Sequence, residues 1–277
     1  MGRARRNKRT SAGRDVAPER QQDGEGRSTG LVGWLAGIVS AVILAAFGVV
    51  FTEWYNTHGS DAVERVRGTA AITIGHVKID YSERDTVLRE PVIEPDDRAV
   101  MIATHADEQR RQDVFARHRR ALIDRMDVTV VLTGNRSSAR IVDIEPRVLA
   151  RKPVSRGARL IAITGGGETD TVQLAADLDR PAPRFTTAKG AAYFKEKQID
   201  LKRDEPVTFT LRFTGKEAYY EFELRVTVLA DGRTEQVTVK APDGGSFRLT
   251  GEASRYQAYY RELPHGGWRP CDGRRPC

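Results

Sequence analysis

The 277-residue chain carries a formal net charge of +7 and a sequence pI near 9.5, a balance that taken alone suggests nucleic acid. The distribution argues against that, because residues 1–30 hold eight Lys and Arg against four Asp and Glu, net +4, leaving +3 for the 226 residues that follow position 51. Two cysteines exclude a disulfide scaffold, and five scattered histidines show no paired spacing of the H-E-x-x-H kind, so no metal or other cofactor is expected.

The first 29 residues, with the cluster "RARRNKR", lack apolar periodicity and read as a basic disordered tail. Next comes "GLVGWLAGIVSAVILAAFGVVF". Between Arg27 and Glu53 there are 25 positions without a charge, and the apolar part would span about 31 Å as a helix, the thickness of a bilayer core. A cleaved signal has a shorter apolar run, a short basic start and a small-x-small site. None of these fits, so residues 30–52 read as a permanent transmembrane helix. Trp34, Trp54 and Tyr55 stand where aromatic rings favour the headgroup region. Eight Lys and Arg precede the run, while only Arg65 and Arg67 occur in the twenty residues after it, which keeps the N-terminus in the cytoplasm. The expectation is a single-pass plasma-membrane protein in contact with lipid, with a juxtamembrane linker over 53–69 and an extracytoplasmic domain over 70–277.

Within that domain the dominant signal is alternation. "AITIGHVKIDY" reads as a strand whose apolar phase slips at Gly75 and His76, as a bulge would cause. "YSERDTVLREPVIEPDDRAVMIATH" reads as a Pro-punctuated connection. "DEQRRQDVFARHRRALIDRM" reads as a helix over 107–126, with Asp107 and Glu108 in its first turn and Val114, Phe115, His118, Leu122 and Met126 recurring at spacings near four. That helix is expected to pack on the domain, with the membrane surface as the alternative. "DVTVVLTG", "ARIVDIEPRVL", "RLIAIT" and "TVQLAADL" are further strands, and the three glycines of "TGGGETD" suit a hairpin turn better than a phosphate loop.

From Pro181 to Lys195, "PAPRFTTAKGAAYFK" reads as a long loop. Arg184, Phe185, Tyr193 and Phe194 form its candidate binding surface, or else Phe185 and Phe194 plug the end of the domain. The clearest alternation follows: Val207, Phe209, Leu211 and Phe213, then Tyr220, Phe222, Leu224, Val226 and Val228, with Asp231-Gly232 as a hairpin turn into "RTEQVTVK" and "SFRLTG" beyond. Cys271 and Cys277 close the chain; outside the membrane they are expected to form a disulfide, with reduced thiols or pairing to a second chain as alternatives. Eight or nine short strands with one inserted helix describe an all-β fold, an immunoglobulin-like β-sandwich.

No nucleophile elbow and no Ser-x-x-Lys occur. His76 with Asp80, and Asp96 with Asp97, read as an edge histidine and solvated turn carboxylates rather than acid–base pairs. The order of "ITIGHVKIDY", "VTVVLTGNRSSARIVDIEPRV", "AADLDRPAPRF", "AAYFKEKQIDLKRDEPVTFTLRFTGKEAYYEFELRVTVLADGR" and "FRLTGEA" resembles a family of uncharacterised actinobacterial single-pass membrane proteins. The resemblance implies an extracytoplasmic sandwich and brings no activity or site residue with it. The function expected is a non-catalytic binding or structural module of the cell envelope, with an envelope protein or polymer as partner and no nucleic acid. The alternative is an extracytoplasmic hydrolase or metal enzyme whose residues converge only on folding.

Overall fold

The computed structural model describes residues 70–163, 174–187, 190–272 and 276–277. The basic tail, the apolar run 30–52, the linker and the "TGGGETD" turn therefore lie outside the described residues. In chain order the first elements are β1 (Ile72–Ile79), β2 (Thr86–Leu88), α1 (Pro95–Ile102), α2 (Glu108–Arg117), β3 (Ala121–Ile123), β4 (Arg125–Gly134), β5 (Ala139–Lys152) and β6 (Ala158–Ile161). There follow β7 (Leu174–Asp177), α3 (Tyr193–Glu196), β8 (Ile199–Leu201), β9 (Pro206–Thr214), β10 (Tyr219–Ala230), β11 (Arg233–Val239), β12 (Phe247–Thr250), β13 (Ala258–Glu262) and β14 (Trp268–Pro270). Among the described residues no helix is long and apolar enough to cross a membrane.

The strands form two mixed sheets. The smaller runs β1-β4-β9-β7, with β7 parallel to β9. The larger runs β14-β13-β6-β2-β3-β12-β10-β5-β8, and β11 also pairs with β10. Alternation decides which residues meet between them: Leu211 and Phe213 of β9 face Phe222 and Leu224 of β10, all within 1% of full burial, and the Phe213 and Phe222 rings lie 4.8 Å apart across the gap. The anticipated bulge is present, since the β1–β4 register shifts between Ile74 and His76. Asp231 (φ 53°) and Gly232 (φ 71°) make the turn between β10 and β11, both in the left-handed region that two-residue hairpins require.

The helix expected over 107–126 is shorter. Asp107 caps it by accepting a hydrogen bond from the Gln109 N–H, but it ends at Arg117. Beyond it, Arg119 adopts φ 51°, its N–H bonds to the Ala116 carbonyl, and the Arg120 N–H bonds to the Phe115 carbonyl. These two bonds define a Schellman stop, with arginine at the position glycine usually takes. Leu122 and Met126 are strand residues of β3 and β4, buried on the sheets rather than on a helix stripe. The helix α2 packs on the domain.

A second difference is α1, which begins with Pro95 at its first position inside the supposed connection. Together α1 and α2 cover the extension of the larger sheet through β2, β6, β13 and β14. Beneath them Leu88, Met101, Phe115, Leu160, Tyr260 and Trp268 form a second hydrophobic core, separate from the one between the sheets. The chain passes from β3 in one sheet to β4 in the other at Asp124 (φ 59°), whose carbonyl accepts the Gly215 N–H and whose own N–H bonds to Thr250.

Candidate functional site

The described residues of the segment 181–195 are tied down. Phe185 and Phe194 are 2% and 9% exposed and lie in the core between the sheets, where Phe185 meets Phe213 edge-on at 5.5 Å. They plug the end of the domain, and Tyr193 packs edge-on to Phe194 at 5.0 Å. Arg184 pairs with Asp143 at 2.8 Å and with Glu145. A hollow of about 420 Å³ remains beside these residues, but its aromatic rings are spent on the core.

A different surface collects basic side chains from three separate parts of the chain. It is a cleft of about 420 Å³ lined by Arg89, Glu90, Arg117, His118, Arg119 and Lys152. Local structure explains the convergence. The stop at Arg119 turns the chain out of the helix directly after Arg117, and Arg117, His118 and Arg119 share one wall. A hydrogen bond from the Arg89 N–H to the His118 carbonyl, 2.9 Å, brings the end of β2 against that wall. Lys152 arrives from the far end of β5, opposite Tyr219 in the register of β10.

Three cations of this cleft have carboxylate neighbours behind them. Asp97, from the first turn of α1, accepts from Arg117 and lies 3.0 Å from His118 Nε2. Arg117's hydrogen bond, against a smaller desolvation effect, holds the Asp97 carboxyl below its ordinary value. The two neighbouring carboxylates Asp96 and Asp97 are thus helix residues, and Asp97 is paired instead of solvated. Glu221 accepts from Arg119 at 2.6 Å and from the Tyr219 hydroxyl at 3.0 Å, with Lys152 Nζ at 3.9 Å. Burial, then the Glu221 charge, pushes the Tyr219 hydroxyl well up.

Arg89 is the exception. Its guanidinium carbon sits 5.2 Å from the centre of the Tyr219 ring, and its Nη1 is buried without a hydrogen-bond partner among the described residues. An arginine held on an aromatic face keeps its hydrogen-bonding edge free. An oxyanion in the cleft would find that edge together with the exposed heads of Arg117, Arg119 and Lys152.

His76 is exposed on β1, so it builds no site with Asp80. Among the described residues no group of three or more His, Cys, Asp or Glu could hold a metal ion. Cys271 and Cys277 are joined by a disulfide, with Cα atoms 5.2 Å apart. Arg89 and Lys152 come from distant strands and no local pattern joins them to this cleft; the run "RHRR" is the one local signal, and a helix drawn through to residue 126, with His118 on its apolar stripe, hides it. Comparison with protein-family models and with curated proteins finds no match for the chain.

Proposed function

We propose that the protein is a single-pass, membrane-tethered module whose extracytoplasmic part, an immunoglobulin-like β-sandwich with a helix-covered extension, binds an anionic polymer of the cell envelope without catalysing a reaction on it. One observation carries the ligand class: four cations, Arg89, Arg117, Arg119 and Lys152, converge on a single cleft whose lining holds one carboxylate, Glu90, while Asp97 and Glu221 pair with three of them from behind, so that positive charge remains in excess. The tether rests on the uncharged run 28–52 and the Lys and Arg asymmetry around it. The Cys271–Cys277 disulfide supports the oxidising side of the membrane. The order of segments, which resembles that of actinobacterial single-pass membrane proteins, is consistent with this placement.

The test is binding of a fluorescent polyphosphate and a fluorescent polygalacturonate to the full chain in lipid nanodiscs. Binding should weaken steeply with salt, and the double variant Arg89→Gln, Lys152→Gln should lose about tenfold in affinity, about 1.4 kcal/mol. Arg184→Gln, on the loop side, should leave affinity unchanged. The opposite pattern, with Arg184 decisive and the cleft variant silent, would move the recognition surface to the loop 181–195.

A further inference from the structure

Arg120, the last residue of "RHRR", turns inward, away from the cleft of its neighbours. Its guanidinium carbon lies 3.8 Å from the centre of the Tyr81 ring and 4.7 Å from that of Phe115. It borders two cavities, of about 330 and 300 Å³. Among the described residues it makes no ion pair, and its Nε is buried without a hydrogen-bond partner. Burial pulls its pKa below the usual arginine value, partly offset by Tyr81, Glu108 and Glu262. Those two carboxylates are bonded elsewhere, Glu108 to Arg111 and Gln112, and Glu262 to the Ile163 N–H. Arg120 is half-buried, and a cation whose Nε is shut off from both water and a partner is costly, so an arginine kept in this condition calls for a partner.

We propose that the larger cavity is a binding site for an organic monocarboxylate with an apolar body, held by the Arg120 guanidinium. Three features select this ligand. Aromatic rings occupy the π surface of the guanidinium, so a ligand reaches its N–H edge, and the planar fork there matches the two oxygens of a carboxylate. The cavity continues into an apolar wall of Ile79, Phe115, Ala116, Ala241 and Pro242, which suits a hydrocarbon or aromatic body. In the lining Asp243 is paired with the second cation, Arg248, at 3.2 Å, which leaves one positive charge, Arg120, to face a ligand; with Glu108 and Glu262 nearby, that charge balances a monoanion and disfavours a dianion such as phosphate. The site is separate from the polymer cleft, which takes its cations from the other side of the same turn.

Ligand-observed fluorine NMR on the full chain in nanodiscs, with empty nanodiscs as the blank, tests this with 4-fluorobenzoate as probe and 4-fluorobenzamide as its neutral twin. The carboxylate should bind saturably with a dissociation constant at or below about 1 mM, and the amide at least about tenfold more weakly. Arg120→Gln and Arg120→Lys should each weaken the carboxylate by about tenfold, the lysine because it keeps the charge near the rings and loses the fork. Arg89→Gln should not change it, which separates this site from the polymer cleft. Equal binding of the amide, displacement of the probe by inorganic phosphate in preference to hexanoate, unchanged affinity in a folded Arg120 variant, or no saturable binding would each overturn the proposal. The comparison of acid with amide needs no variant.

Discussion

Asp97 shows how one carboxylate can organise a basic surface without neutralising it. It accepts from Arg117 and sits against His118, so two heads of the cleft are held in place by one negative charge from α1. Because its carboxyl titrates lower in the folded chain than in the unfolded one, the unfolded state takes up the proton first as pH falls. The stabilisation is therefore complete above about pH 4, the ordinary carboxylate value, and disappears as pH drops through the lowered folded value. Asp97→Asn should melt below wild type at pH 7, and the two curves should converge as pH falls below the ordinary carboxylate value. A constant gap between them across that range would mean that the pairing is not what Asp97 contributes.

At the scale of the element, the end of α2 and the centre of β10 make opposite demands on side chains. Arg119 holds a left-handed conformation that costs a non-glycine residue about 1 kcal/mol, so Arg119→Gly should leave stability within about 1 kcal/mol of wild type while weakening polymer binding. Loss of helix signal in that variant would show that the Arg119 side chain, and not the backbone geometry alone, holds the end of α2 in place. In β10, Phe222 is fully buried between the sheets and Phe222→Ala should cost about 3 to 5 kcal/mol in chemical denaturation. Its neighbour Glu223 points to the outer face, near Lys240 at 3.9 Å, and Glu223→Ala should cost about 0.5 kcal/mol or less. Strands of this kind were legible because a period of two with one buried face survives any tertiary context: β1 with its bulge, β9, β10 and the turn into β11 all match the alternation. The short strands β2, β3 and β14, three residues each, carry too few positions to show a period. The boundary of α2 was illegible for a physical reason as well. Nothing in "ARHRRAL" is a helix breaker, and the stop comes from bonding of Arg119 and Arg120 back to the last turn. The cleft itself depends on β2, β5 and α2 coming together, information that no local pattern contains.

The whole molecule places its disulfide at the margin. The seven-residue loop from Cys271 to Cys277 contributes at most about 2.4 kcal/mol in the chain-entropy model. Reduction should loosen the tail after β14 and leave the core between the sheets intact, which near-ultraviolet circular dichroism of the full chain can follow. Free thiols in protein freshly isolated under alkylation would argue for a reducing compartment and against the proposed topology. A reporter active only outside the cytoplasm, fused after Cys277, is the direct check. The larger sheet has a further property. β12 meets β3 in parallel over two register pairs alone, Leu249 with Leu122 and Thr250 with Ile123, and this narrow seam joins the part of the sheet in the main core to the part under the helices. Arg120, Ala241 and Arg248 all border the cavity beside it. The next pairing, β2 with β3, also spans two register pairs, and local opening follows such narrow hydrogen-bonded boundaries, so amide exchange in β2, β6 and β13 should run ahead of exchange in β9 and β10, and a molecule lodged against Arg120 should slow the former while leaving the latter alone. The seam would then convert occupancy of a small cavity into the lifetime of a whole layer.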